Sequence, residues 1–136
     1  MGRLRFRQLP HTADVRLIVY GRSEEEILRH LAVGIGRLVL GKTPAGSAPE
    51  LRTVQLPPGD MPRRLVRVGN EVLFYLFYRH LATVNLQLSG DLVQLHMQPL
   101  ASQAQPRFEV KAVTFHALKL KVREDGRMAA VVTLDL

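Results

Sequence analysis

The sequence predicts an α+β fold: one two-layer domain over residues 1–136, a mostly antiparallel or mixed β-sheet with two helices packed on one face. Three observations predict it. Period-2 alternation of apolar and polar residues recurs in most segments. Two segments switch to helical periodicity, each behind a capping residue. Hydrophobic residues make up 46% of the 136 positions, enough for one ordinary core.

Arg3-Leu4-Arg5-Phe6-Arg7 alternates and reads as a first strand, broken at Leu9-Pro10-His11-Thr12. Val15, Leu17 and Val19 alternate with Arg16, Ile18 and Tyr20 in a second strand that Gly21 ends. Ser23-Glu24-Glu25-Glu26 is a capping box whose glutamates suit the positive end of a helix. Ile27, Leu28, Leu31, Ile35, Leu38 and Val39 follow at helical spacing, and Gly41 caps the far end. Residues 42–49 form a loop rich in Pro, Gly and Ala, and Leu51 to Leu56 a short strand.

Asp60 reads as the next N-cap, with Pro62 in the first helical turn. A longer helix runs from there to about Leu81, with Leu65, Val68, Val72 and Leu76 on one stripe. Its C-terminal half is apolar nearly all round and is expected to be buried. The remainder is β. Thr83–Ser89 and Leu92–Met97 flank the turn Ser89-Gly90-Asp91. Phe108–Val122 is a long alternating run with a bend near Thr114-Phe115-His116. Glu124-Asp125-Gly126-Arg127 then makes a tight hairpin into the last strand, Met128–Leu136.

Composition excludes several classes. With no cysteine there is neither a disulfide nor a thiolate metal site, and a reducing cytoplasm is the expected location. No apolar run approaches the ~20 residues of a membrane helix, and no apolar stretch follows the basic N-terminus, so neither membrane nor signal peptide is expected. Phe6 argues against N-myristoylation. The net charge of +7, with 15 Arg against 4 Lys, favours anionic partners. Arg3, Arg5 and Arg7, and Arg63, Arg64 and Arg67, read as solvated faces, with RNA phosphate contacts as the alternative.

The last strand keeps its pattern to the final residue, where chain ends ordinarily fray. Met128, Ala130, Val132, Leu134 and Leu136 share an apolar face, and Asp135 projects from the other. A held Asp135 and a held terminal carboxylate at Leu136, with a second Asp nearby, offer hard oxygen ligands for a divalent cation. Asp14, at a break before a strand, is the best candidate for that second Asp. Taken alone, Asp14 reads first as a turn residue bonding its own backbone, and Asp135 as the ion-pair partner of an arginine.

An ordered set of motifs resembles the archease family: Leu9-Pro10-His11-Thr12-Ala13-Asp14-Val15, Tyr20-Gly21, the Ser23-Glu24-Glu25-Glu26 helix start, and Asn70-Glu71-Val72-Leu73-Phe74-Tyr75-Leu76. The strongest block is Glu109-Val110-Lys111-Ala112-Val113-Thr114-Phe115-His116, followed by Asp125-Gly126 and the ending Leu134-Asp135-Leu136. The resemblance implies a small α+β protein that is not itself a ligase. It implies a role assisting an RtcB-type RNA ligase in tRNA splicing and repair, by promoting guanylylation and repeated turnover. RNA and GTP are then met through the ligase. It also implies a metal site at Asp14, Asp135 and Leu136, with Ca²⁺ first and Mg²⁺ or Mn²⁺ as alternatives. His11, Lys111 and His116 are the supporting or partner-contact candidates: Lys111 toward a phosphate or a ligase carboxylate, or simply an exposed strand lysine; His116 a satisfied half-buried histidine on the parity of Phe108, Val110, Leu118 and Leu120; His11 orienting Asp14 or capping the turn, with a ligand role as the alternative. The basic charge and Ala117, where the family often has glycine, are this chain's own features.

Two other functions remain open: a basic RNA-binding module, and a metal-dependent hydrolase with His11 or His116 as general base. No Gly-rich phosphate loop or serine nucleophile motif accompanies the second.

Overall fold

Among the described residues six strands and two helices follow one another as β1 (Asp14–Gly21), α1 (Glu24–Leu40), β2 (Glu50–Gln55), α2 (Met61–Tyr78), β3 (Leu81–Ser89), β4 (Leu92–Pro99), β5 (Ala112–Val122) and β6 (Met128–Asp135). These come from a computed structural model that describes residues 14–42, 44, 49–101 and 104–136, without the side chains of 115–118. The strand expected at Arg3–Arg7 lies outside the described residues.

Both helices begin at the expected caps. The Ser23 hydroxyl accepts the Glu26 amide at 3.1 Å, and the Asp60 carboxylate accepts the Arg63 amide at 3.0 Å. Gly41 ends α1 in the left-handed region, at φ 79°, and its N–H donates to the Arg37 carbonyl. Arg107 secures the same end by donating to the Leu38 carbonyl at 3.0 Å.

The β layer is divided. Among the described residues the strands form two three-stranded antiparallel sheets, β1-β6-β5 and β2-β4-β3. Helix α1 packs on β1 and β3, and α2 on β5 and β3, so each helix spans both sheets and the sheets act as one layer. The core lies between: Leu28, Leu31 and Ile35 from α1, Leu65, Val68 and Leu76 from α2, and Leu86, Leu95, Val132 and Leu134 from the strands.

Glu25 ties α1 to the β3 backbone. One of its carboxylate oxygens accepts the Leu88 N–H at 2.8 Å and the other accepts Arg29 at 3.0 Å. The Leu88 hydrogen bond holds the carboxyl below its ordinary pKa of 4.5, opposed by desolvation and helped by Arg29. A depressed carboxylate contributes stability above its unfolded pKa and loses it as the pH falls through the folded value. Unfolding of Glu25→Gln is therefore expected to depend less on pH than wild type below pH 4.5, as a urea titration across that range would read.

Three expectations are corrected. Helix α2 stops at Tyr78, because His80 takes φ 57° and turns the chain into β3. Its C-terminal half is not buried all round: Phe74 and Tyr78 are exposed and stack on each other with centroids 5.7 Å apart, and the Arg79 guanidinium lies 5.9 Å from the Phe74 ring. Arg64 is not on a solvated face, since it is only 4% exposed.

The bend expected near Thr114 is a large bulge. Thr114 pairs with Thr133 and Lys119 with Val131, so four residues of β5 oppose one of β6. The odd number of extra residues exchanges the faces. Val113 points inward before the bulge and Leu120 after it, so one parity does not run from Phe108 to Leu120.

Candidate metal centre

Strand β1 runs antiparallel to β6 in a register that sets Asp14 directly opposite Asp135. Directly opposed residues share a sheet face, with Cβ atoms only ~5 Å apart. On the far side of β6, Ala112 of β5 stands opposite Asp135. Its methyl group offers the carboxylate neither a charge nor a hydrogen bond. The Lys111 N–H donates to the Asp135 carbonyl at 2.8 Å, extending the pairing one residue beyond β5. Asp14 and Asp135 are half-buried, Lys111 is exposed, and Leu136 packs on the edge of the core.

Two like charges directly opposite each other are destabilising. Neither carboxylate makes an ion pair with any described residue, although Arg16 lies on the same face two residues along β1. One register pair further on that face, the buried Thr114 hydroxyl has no hydrogen-bond partner among the described residues. Paired hard oxygens that make no ion pair with any described residue suit a divalent cation with oxygen ligands. No cluster of three or more His, Cys, Asp or Glu side chains occurs among the described residues. Among the described residues a third donor here would be a hydroxyl or a main-chain oxygen.

The sequence reading brought Asp14, Asp135 and Leu136 together, and the structure places them at one end of β1 and β6, with Lys111 adjoining. His11 lies outside the described residues, as does the side chain of His116.

A docking pair, Gly69-Asn70, went unassigned in the sequence reading. Asn70 grips the backbone of β5: its side-chain oxygen accepts the Val113 N–H at 2.8 Å and its amide donates to the Val113 carbonyl at 3.1 Å. Beside it, a Cβ on Gly69 would lie 2.6 Å from a Val113 methyl carbon, so only glycine allows this approach. The pair anchors the start of β5, and with it Lys111 and the Asp135 backbone. Its local signals are a glycine inside a helical stripe and Asn70 at the head of the second-helix motif. Asn70→Ala leaves two partly buried backbone groups without their partner and is expected to cost about 1–3 kcal/mol in denaturant unfolding. Gly69→Ala is expected to cost about 1–2 kcal/mol, as overpacking exceeds the helix-propensity gain.

The chain matches the profile of the Archease protein family over residues 6–136. Among curated relatives it is 27% identical to "Protein archease" of Methanosarcina barkeri, covering 93% of each chain. It is 30% identical to "Protein archease" of Methanothermobacter thermautotrophicus, covering 92% of this chain and 94% of that one. Two solved structures share the fold. A crystal structure from Thermotoga maritima, described as an archease and possible chaperone, superposes with a TM-score of 0.70 at 20% identity, covering 98% of this chain and 99% of that one. The solution structure of a Methanobacterium thermoautotrophicum protein superposes at 0.58 with 26% identity, covering 94% and 96%.

Proposed function

As the chain belongs to the archease family, we propose that it is an accessory protein for an RtcB-type RNA ligase, promoting the ligase's guanylylation and repeated turnover while catalysing no reaction of its own. The observation that carries this reading is the placement of Asp14 directly against Asp135 in a chain matched to the family over residues 6–136.

In this reading the Asp14 and Asp135 carboxylates and the main-chain oxygen of Leu136 hold a divalent cation, Ca²⁺ before Mg²⁺ or Mn²⁺. Bound there, it would neutralise the carboxylates and present positive charge to a partner's phosphate or carboxylate. The chain's own residues hold the geometry. Asn70 and Gly69 fix the start of β5, the Lys111 amide fixes the Asp135 backbone, and Ala112 places no competing polar group opposite Asp135. The Lys111 backbone adjoins this site, while its exposed side chain lines the cleft beside Phe74 and Tyr78 of α2, and it is the proposed contact to the ligase or its nucleotide.

The test is RNA joining by the ligase of the same organism, with GTP, divalent metal and RNA in excess over enzyme. Repeated turnover is expected only when this protein is added. An unchanged joining rate with and without it contradicts the reading.

A further inference from the structure

At the other end of β1 and β6, seven residues from the aspartate pair and thus roughly 24 Å away along the strands, Gly21 pairs with Met128 and the β5–β6 hairpin begins. A cleft of about 620 Å³ opens there, lined on its polar side by Tyr20, Arg22, Glu26, His30, Arg123 and Arg127. We propose that this cleft binds single-stranded RNA, holding its phosphates with the three arginines and stacking an unpaired base on Tyr20.

The charge is arranged for an anion. Three arginines line the cleft against one lining carboxylate, Glu26, with Asp125 beside Arg127. Arg22 and Arg123 make no ion pair with any described residue, and Arg127 has only a 3.8 Å contact with Asp125, both side chains being exposed. Arg29, Arg52, Arg64 and Arg67, by contrast, each engage a carboxylate at 3.3 Å or less. Unpaired guanidiniums are planar forks suited to phosphate oxygens.

The fold holds these groups in place. A Cβ on Gly21 would lie 2.9 Å from the Ile27 amide nitrogen, so glycine lets the end of β1 abut the first turn of α1 and sets Arg22 beside Glu26. The Arg123 N–H donates to the Arg127 carbonyl at 2.7 Å, which fixes the two hairpin arginines relative to each other. His30 is engaged through Nδ1 with the Tyr20 carbonyl, so it anchors the backbone that carries the tyrosine.

The ring selects the ligand. Tyr20 is 60% exposed, with solvent-facing Ile18 two residues before it on the same strand. An exposed aromatic face beside cations stacks on any unpaired base. A cleft of this volume admits a nucleotide unit but not a duplex. The chain's net charge of +7 draws such a strand in. The proposal is independent of the aspartate pair.

The test is fluorescence anisotropy of the full chain with labelled oligouridine of about ten nucleotides, repeated over a salt series. Changing Arg22, Arg123 and Arg127 together to Gln is expected to reduce the salt slope by about 2 and to weaken binding at least about tenfold. Tyr20→Ala is expected to weaken binding by about tenfold with the slope unchanged. Asp14→Asn is expected to bind RNA as wild type does, which separates this site from the metal centre. Four results overturn the proposal: unchanged affinity in the triple variant, no effect of Tyr20→Ala, equal affinity for a poly-glutamate peptide with the same arginine dependence, or equal affinity for uridine monophosphate alone. The last two would mark an acidic protein face or a free nucleotide as the ligand.

Discussion

Arg64→Met is expected to cost about 2–4 kcal/mol of folding stability. The Arg64 side chain is 5% exposed, and its two terminal nitrogens make four hydrogen bonds. One nitrogen donates to the Pro57 carbonyl at 3.2 Å and to Asp91 at 2.5 Å. The other donates to Glu24 at 2.8 Å and to the Gly90 carbonyl at 3.0 Å. One guanidinium thus joins α2 to the first turn of α1, to the β3–β4 turn and to the link after β2. Desolvation works against this charge, but the Asp91 and Glu24 carboxylates outweigh it and strengthen its hold on the proton.

Truncation strands both carboxylates and two carbonyls together. Breaking a fully buried pair costs about 3–5 kcal/mol. Here the carboxylates stay partly in water, at 28% and 49% exposure, and solvent screens part of the loss. The melting temperature is expected to fall by on the order of 10 °C. Arg63→Met is the control. Arg63 is exposed and its cap bond to Asp60 uses the backbone, so a change within about 0.5 kcal/mol is expected. Arg64→Lys keeps the charge but loses the fork, and is expected to fall between the two.

The second large effect changes sign with the medium. In a chelator, Asp14→Asn and Asp135→Asn are expected to match or exceed wild-type stability by up to about 1 kcal/mol, because opposed like charges are removed. With a divalent cation at about a hundred times its Kd, wild type is expected to gain about 2.7 kcal/mol and the variants to gain little. Thermal unfolding in chelator, Ca²⁺, Mg²⁺ and Mn²⁺ reads the crossing and identifies the ion. If the pair were merely structural, both variants would be less stable than wild type in every medium.

Much of this geometry is legible in the sequence because it is set locally. Ser23, Gly41 and Asp60 act within one turn of their own helices. Gly90 and Gly126 sit in turns at positive φ, where the dipeptides Gly90-Asp91 and Asp125-Gly126 signalled them. The meeting of Asp14 with Asp135 was reached from a last strand patterned to Asp135 and from the motifs that resemble the archease family, while the pairing of β1 with β6 that brings them together has no signal of its own in the sequence.

What escaped was tertiary. Arg64 differs from Arg63 and Arg67 only in which way the helix turns it, and its partners are brought in from 27 and 40 residues away. Asn70 takes the place of a neighbouring strand for Val113, a role that no spacing encodes. The apolar run at the end of α2 has more faces than the sheets can cover, which leaves Phe74 and Tyr78 in solvent. The β5 bulge reversed a parity that the pattern treated as continuous. The cleft at Arg22, Arg123 and Arg127 joins segments a hundred residues apart, so it stood apart from both arginine groups singled out beforehand.

The central claim is that the Asp14–Asp135 pair serves a partner ligase. Its most direct measurement is the rate of GTP-dependent guanylylation of that ligase in one divalent-metal buffer, with wild type, Asp14→Asn or Asp135→Asn added. Acceleration by wild type and a fall to the unassisted rate with either folded variant is the predicted result. Equal acceleration by all three proteins, or none by wild type, contradicts it.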